Sequence, residues 1–385
     1  MFRQGFSCME FLMILTRKKI LCTFAAVLCA APFFAASTIT ELSLNELSWR
    51  YLQAAEIALQ VGRYDDAMKA CEDAKLRRSE ESEYETQILD SALKPQEVAR
   101  EGDLISDVLP VLRRREASQA LKIIDKYLDL FGAAHFENSI SAIRAYVKSR
   151  TEYPEADYMI GTVYRYEGEY TFAEKYYLKA YNESSLLEIP DVKYDILYDM
   201  AEIARIQNKN ADYEKYLTLI IADDAPFWDT GLDKALLRTI DTNMPDSVEK
   251  FFKLYRTKEH RSLNAYEALA EYYTEIGEKE KAIKAIAFAS LTGFSKIYDI
   301  VKERNTRFVY TNVSNFFHEA GIYGDITEWG IDNNIWRSFF MLAEYAERRG
   351  CGVFANSLYS VIAESFPEEY WRNKAATRIA RKSVE

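Results

Sequence analysis

Side chains able to do chemistry are sparse and scattered in this sequence. His135, His260 and His318 are widely spaced and belong to no paired acidic motif, so they build neither a zinc site nor a nucleophile–histidine pair. Cys71 and Cys351 are the two cysteines beyond the N-terminal apolar run, and they have neither metal-site nor redox-pair spacing. No P-loop and no dinucleotide glycine fingerprint occurs. Carboxylates are plentiful, but spacing singles out none of them. The residue types therefore predict no catalytic residue, no metal and no cofactor.

What the sequence does specify is a set of elements. From Pro154 to Asn182, PEADYMIGTVYRYEGEYTFAEKYYLKAYN carries Ile160, Gly161 and Tyr164 on one helical stripe and Ala173, Tyr177 and Ala180 on a second, with Gly168 and Tyr170 at the turn between them. Small residues sit where two helices cross closely and a large ring sits beside each, so one helix can fill the gap left by the other. Further copies carry the same offsets. Around Gly62 they are Ala55, Ala58, Ala67, Cys71 and Ala74; around Gly277, Leu269, Ala270, Tyr273, Ala282, Ile286 and Ala289; around Gly350, Leu342, Ala343, Ala346, Ala355, Tyr359 and Ile362. A weaker copy uses Leu197, Ala201, Ala204, Asn208, Tyr213, Leu217 and Ile220.

This spacing resembles the tetratricopeptide repeat (TPR), whose 34-residue signature pairs a small residue with an aromatic on each of two helices. Two positions depart from it in the best copy: Asp157 stands where the leading aromatic belongs, and Ser185 replaces the closing proline. The resemblance implies an all-α fold, a right-handed superhelical solenoid of stacked antiparallel helix pairs. It implies a concave groove lined by the first helices, where Tyr158, Thr162, Arg165, Tyr166, Tyr198, Glu202 and Arg205 would face a protein or peptide partner. Tyrosine beside arginine suits such a surface, because Tyr gives contact area at small entropic cost and Arg pairs bidentately with carboxylates. The alternative for each of these residues is packing between repeats. The lysine and asparagine clamp of chaperone-binding members is absent from the sequence. A shorter likeness lies in AESFPEEYW, where Glu364 and Ser365 are similar to the Glu-Ser context of the soluble lytic transglycosylases; too few residues follow for their catalytic domain.

Charge limits the partners. The chain is formally −11, and its first 37 residues hold Arg3, Arg17, Lys18 and Lys19 against Glu10, so the remainder carries −14. That surface disfavours nucleic acid and broad adhesion to anionic lipid. The N-terminal basic triplet, the apolar run ILCTFAAVLCAAPFFAA and the small residues Ala35, Ala36 and Ser37 read as a secretory signal over 1–37, with a start at Met9 or Met13 as an alternative. A periplasmic or secreted location follows from that reading. Membrane association is expected only if the signal is retained or if Cys29 is lipidated.

The expected organisation is 1–37 signal, 38–103 a first helix pair and a charged connection, 104–150 a degenerate helical repeat, and 151–385 a helical array with a basic capping helix after Pro367. Pro95 argues against one unbroken helix through the connection. Leu232, Ala235, Leu236, Val248, Phe252 and Tyr255 give a further pair, and a loop is expected near IYGDITEWGIDNN. The function these features suggest is a non-enzymatic interaction scaffold outside the cytoplasm. The alternatives are a ligand-binding or assembly accessory of an envelope transport complex, and a degenerate enzyme relative bound to cell-wall glycan.

Overall fold

The computed structural model describes residues 47–93, 103–223, 231–242, 244–254 and 261–382. The expected signal, Cys29, Pro95, Tyr255 and His260 lie outside the described residues. Among the described residues the regular elements are all helical, and the helices pack in adjacent pairs as an all-α, solenoid-like fold. Two compact units divide at Ile203 and Ala204.

One turn recurs through the chain and sets the pairing. After α1 (Ser48–Gln60) the Gly62 N–H donates to Leu59 O, the Arg63 N–H donates to Ala58 O, and the Ala67 N–H opens α2 (Tyr64–Ala92) by donating to Arg63 O. The same three bonds recur around Gly168, Gly277 and Gly350. They recur again around Asn208 and Glu116, which also take positive φ, at 57° and 52°. A left-handed residue here turns the chain back while satisfying carbonyls at the end of the first helix, and glycine does so without a Cβ penalty. The sequence pattern identifies this position in five of the six turns. Glu116 hides it, because its side chain gives no turn signal.

Within the first unit, α6 (Pro154–Tyr166) and α7 (Tyr170–Asn182) form the best-defined pair. Gly161 is required there by a close approach: a methyl group in its place would overlap the Tyr177 ring, which is fully buried. This pair packs directly on α1 and α2 through Ala55, Cys71 and Ile160, and again through Ala58, Ala67 and Val163. The residues between them in sequence take another course. A π-helical turn at Leu104–Val108, capped by Asp103 accepting from the Ile105 and Ser106 N–H groups, leads into α3 (Leu109–Arg114), α4 (Ser118–Phe131) and α5 (Ile140–Ser149). These pack on the far half of α2, where Leu89 and Leu93 join Leu112, Ile124, Tyr127, Ile143 and Val147 in one core. The charged run after Arg77 is thus helical to Ala92 and serves as a platform for residues 104–150. The helix α8 (Val192–Ile206) follows α7 and contains the division between units.

The second unit comprises α9 (Asn210–Ala222), α10 (Leu232–Asp241), α11 (Ser247–Lys253), α12 (Leu263–Glu275), α13 (Lys279–Arg304), α14 (Val313–Gly321), α15 (Gly324–Asp332), α16 (Ile335–Arg348), α17 (Gly352–Ser365) and α18 (Glu369–Lys382). Its centre is aromatic: Phe252, Phe294, Phe316, Phe317, Trp336, Phe339 and Phe366 are all buried, with neighbouring centroids as close as 4.3 Å for Phe294 and Phe316. Edge and tilted ring pairs of this kind add to area burial. Every residue of α13 from Ala285 to Ser295 is buried, the pattern of a helix enclosed on all sides.

The loop expected near IYGDITEWGIDNN is a correction. Gly324–Asp332 forms α15, which buries Ile326 and brings Gly330 so close to the Trp336 indole that no side chain would fit. The glycines read as breakers from sequence, whereas Gly330 serves helix contact. The chain turns only afterwards, at Asn334, with φ 55°.

Candidate functional site

The residues assigned to a groove fall into two groups. Tyr158 donates from its hydroxyl to Asp199 Oδ2 at 2.8 Å, and Arg165 reaches Asp199 Oδ1 at 3.0 Å and Glu202 Oε2 at 2.5 Å. Thr162 donates to the Tyr158 carbonyl at 3.0 Å and accepts from the buried Tyr177 hydroxyl at 3.2 Å. Tyr158 and Arg165, through Asp199 and Glu202, tie α6 to α8, the first helix of one pair to the first helix of the next, while Thr162 bonds its own helix and Tyr177 of α7. Burial pushes the Asp199 carboxyl up, although Arg165 and the Tyr158 hydroxyl oppose it. Asp195, one turn earlier, is pushed up to about 7 by burial and then by the charges of Asp199 and Asp191.

The second group is open to solvent. Tyr166 is 58% exposed, lies 6.4 Å from the Tyr64 ring and sits beneath the Arg165 guanidinium at 5.5 Å. Glu202 and Arg205 are exposed and Tyr198 is half-buried. Arg205 belongs to the second unit and lies 6.0 Å from the Tyr213 ring.

Sequence reasoning missed a buried polar assembly in the first unit. Glu188 Oε1 joins the Arg78 guanidinium at 2.8 Å and that of Arg150 at 3.0 Å. Arg150 also donates to the Tyr127 hydroxyl, which in turn donates to Glu85. Burial works against the Glu188 charge, but Arg78 and Arg150 outweigh it and hold the carboxyl below its usual range. The neighbouring Glu155, which accepts from the Glu188 N–H at 2.6 Å, is instead pushed up to about 7 by burial and by the Glu188 charge. These residues are spread from 78 to 188 along the chain, and no local spacing announces them.

Asp157, the departure from the repeat pattern, is fully buried and has a physical answer. Lys75 of α2 lies 2.6 Å from its Oδ1 and Lys179 of α7 lies 2.9 Å from its Oδ2. Glu152, Asp157 and Glu183 place carboxylate oxygens within 4.8 Å of one another, which is metal-like spacing. The Lys179 ammonium lies 3.2 Å from Glu152 and 3.9 Å from Glu183. Lys179, with Lys75 on Asp157, thus offsets the one carboxylate of the trio that is buried, and the other two keep access to solvent. Cys71 is buried and its thiol is pushed up to about 12, chiefly by burial, which makes it a poor nucleophile at neutral pH.

No protein-family model matches the chain. It is similar to an uncharacterized protein of Treponema pallidum (strain Nichols), with 27% identity over 341 residues, 87% of this chain and 90% of the relative. An uncharacterized protein of Borreliella burgdorferi is 18% identical over 232 residues, 55% of this chain and 72% of that relative.

Proposed function

We propose that the chain is a non-enzymatic, TPR-like scaffold that works outside the cytoplasm by holding a protein or peptide partner against its first helices. The reading of its location rests on the basic, apolar and small-residue pattern of residues 1–37. The observation that carries the scaffold reading is the side-by-side fixing of consecutive first helices by Tyr158, Arg165, Asp199 and Glu202. Fixed helices give a partner a preorganised surface, which lowers the entropic cost of binding. Tyr166 supplies an exposed ring at the end of α6, with the half-buried Tyr64 ring of α2 beside it, and a few aromatic side chains commonly dominate interface energetics.

Affinity capture from an envelope extract tests the reading with the full chain as bait. A protein partner recovered by the wild type and lost with Tyr166→Ala, at unchanged helical content, supports it. Recovery of a tightly held small molecule and no protein would overturn it in favour of a ligand-binding accessory.

A further inference from the structure

The basic helix α18 packs on α17 and reaches across to α16, leaving a cleft of about 440 Å³ on the second unit. Its floor includes Phe340, which is 2% exposed, and its rim includes Tyr370, which is 59% exposed. Lys374, Arg378 and Arg381 line one wall and Glu344 contributes the facing charge. The Lys374 ammonium rests 4.6 Å from the Phe340 centroid and 4.7 Å from that of Trp371, and it has no ion-pair partner among the described residues. Arg381 is exposed and likewise has no ion pair among them, whereas Arg378 meets Glu347 at 3.1 Å. Arg372 adds to the charge of the same helix, in a chain whose net charge is −11.

We propose that this cleft binds an extended acidic segment of a partner protein, with an aromatic side chain and then two carboxylates on alternate residues, all on one face. Tyr370, Lys374 and Arg381 line the cleft from one face of α18, and the first two are one helical turn apart, about 6 Å along the axis. Alternate side chains of an extended peptide are about 6.6 Å apart on one face, so an aromatic can meet the exposed Tyr370 ring, the next carboxylate Lys374 and the one after it Arg381, since Arg378 is held by Glu347. The intervening side chains point away from the cleft. A lone phosphate would use one end of this row and none of the rings. The proposal rests on the scaffold reading, but its site is distinct from the first-helix surface, so the two can fail separately.

The test uses the full chain and a labelled hexapeptide, Phe-Ser-Glu-Ser-Glu-Ser, which carries the ring and both carboxylates on one face, followed by fluorescence anisotropy at low and high salt. Expected are saturable binding, a drop of about tenfold or more in affinity with Lys374→Glu/Arg381→Glu, and weakening with Tyr370→Ala. Circular dichroism should report unchanged helicity, because Lys374, Arg381 and Tyr370 are exposed. Replacing Glu by Gln in the peptide should abolish binding, and inorganic phosphate should compete only weakly. Any of four results would overturn the proposal: no binding by the wild type, equal binding by the double variant, equal binding of the Gln peptide, or preference for anionic phosphatidylglycerol vesicles over the peptide. If the peptide result fails while Tyr166-dependent capture holds, the cleft assignment alone is lost.

Discussion

Asp157 illustrates what one residue can do against a repeated pattern. An aromatic at that place would pack by area, whereas the carboxylate recruits Lys75 and Lys179 from two other helices and is buried completely. Asp157→Ala empties a buried site and takes a carboxylate from Lys75 and Lys179, which are themselves 29% and 39% exposed, so it should cost about 2 kcal/mol in urea unfolding, against less than about 1 kcal/mol for a fully exposed pair. Glu267 is a second buried carboxyl, 7% exposed, whose Oε1 makes no hydrogen bond. Burial is the main cause that pushes it up from 4.5 to about 8, with Glu271 adding to the shift and Arg337 opposing it. Between those values the folded state keeps a proton that the unfolded state releases, so this residue's contribution to stability falls as pH rises through the window and carries no penalty below it. Glu267→Gln should therefore raise stability by on the order of 2 kcal/mol at pH 9 and by little at pH 4, read from thermal melts at both. The departure at Asp157 was legible in the sequence. Its lysine partners were not, since Lys75 and Lys179 look like any solvated helix charge until the helices are packed.

Elements are where the sequence is most readable. The small and bulky positions recur because helices crossing closely need one of each, and Ala55, Gly161, Ala270 and Ala343 are all buried. Gly161→Ala should cost about 1–3 kcal/mol, because the added methyl must displace the buried Tyr177 ring; replacing Tyr177 by Leu in the same chain should recover part of that loss. Positive φ at Gly277 is a backbone demand with open space around the Cα, so Gly277→Ala should cost about 1 kcal/mol and Gly277→Asn less. Where the pattern fails to predict the element, a physical reason can be named. Gly330 resembles a loop residue because its role in a close helix contact depends on Trp336, which lies in the next helix. The helix α2 continues past Arg77 despite its charges because residues 104–150 supply the apolar partner that its far half needs.

At the scale of the molecule, self-similarity made the all-α class accessible, since each pair buries its apolar stripe only against a neighbour. Packing order was less accessible. The pair α6 and α7 meets α1 and α2 directly, while residues 104–150 pack beside the series, and nothing in their local periodicity records that detour. The proposed groove separates in the same way. Tyr158 and Arg165 read as recognition residues from their types, yet both are engaged with Asp199, and the freer surface belongs to Tyr166.

The central claim, that exposed first-helix rings hold a protein partner, is tested most directly by photo-crosslinking in cells with benzoylphenylalanine at position 166 and, separately, at position 178 on the second helix. Both native side chains are exposed, Tyr166 at 58% and Leu178 at 44%, so access to the probe is comparable. A discrete protein adduct from position 166 and none from 178 is the predicted result. No protein adduct from 166, or equal adducts from both positions, would contradict the account.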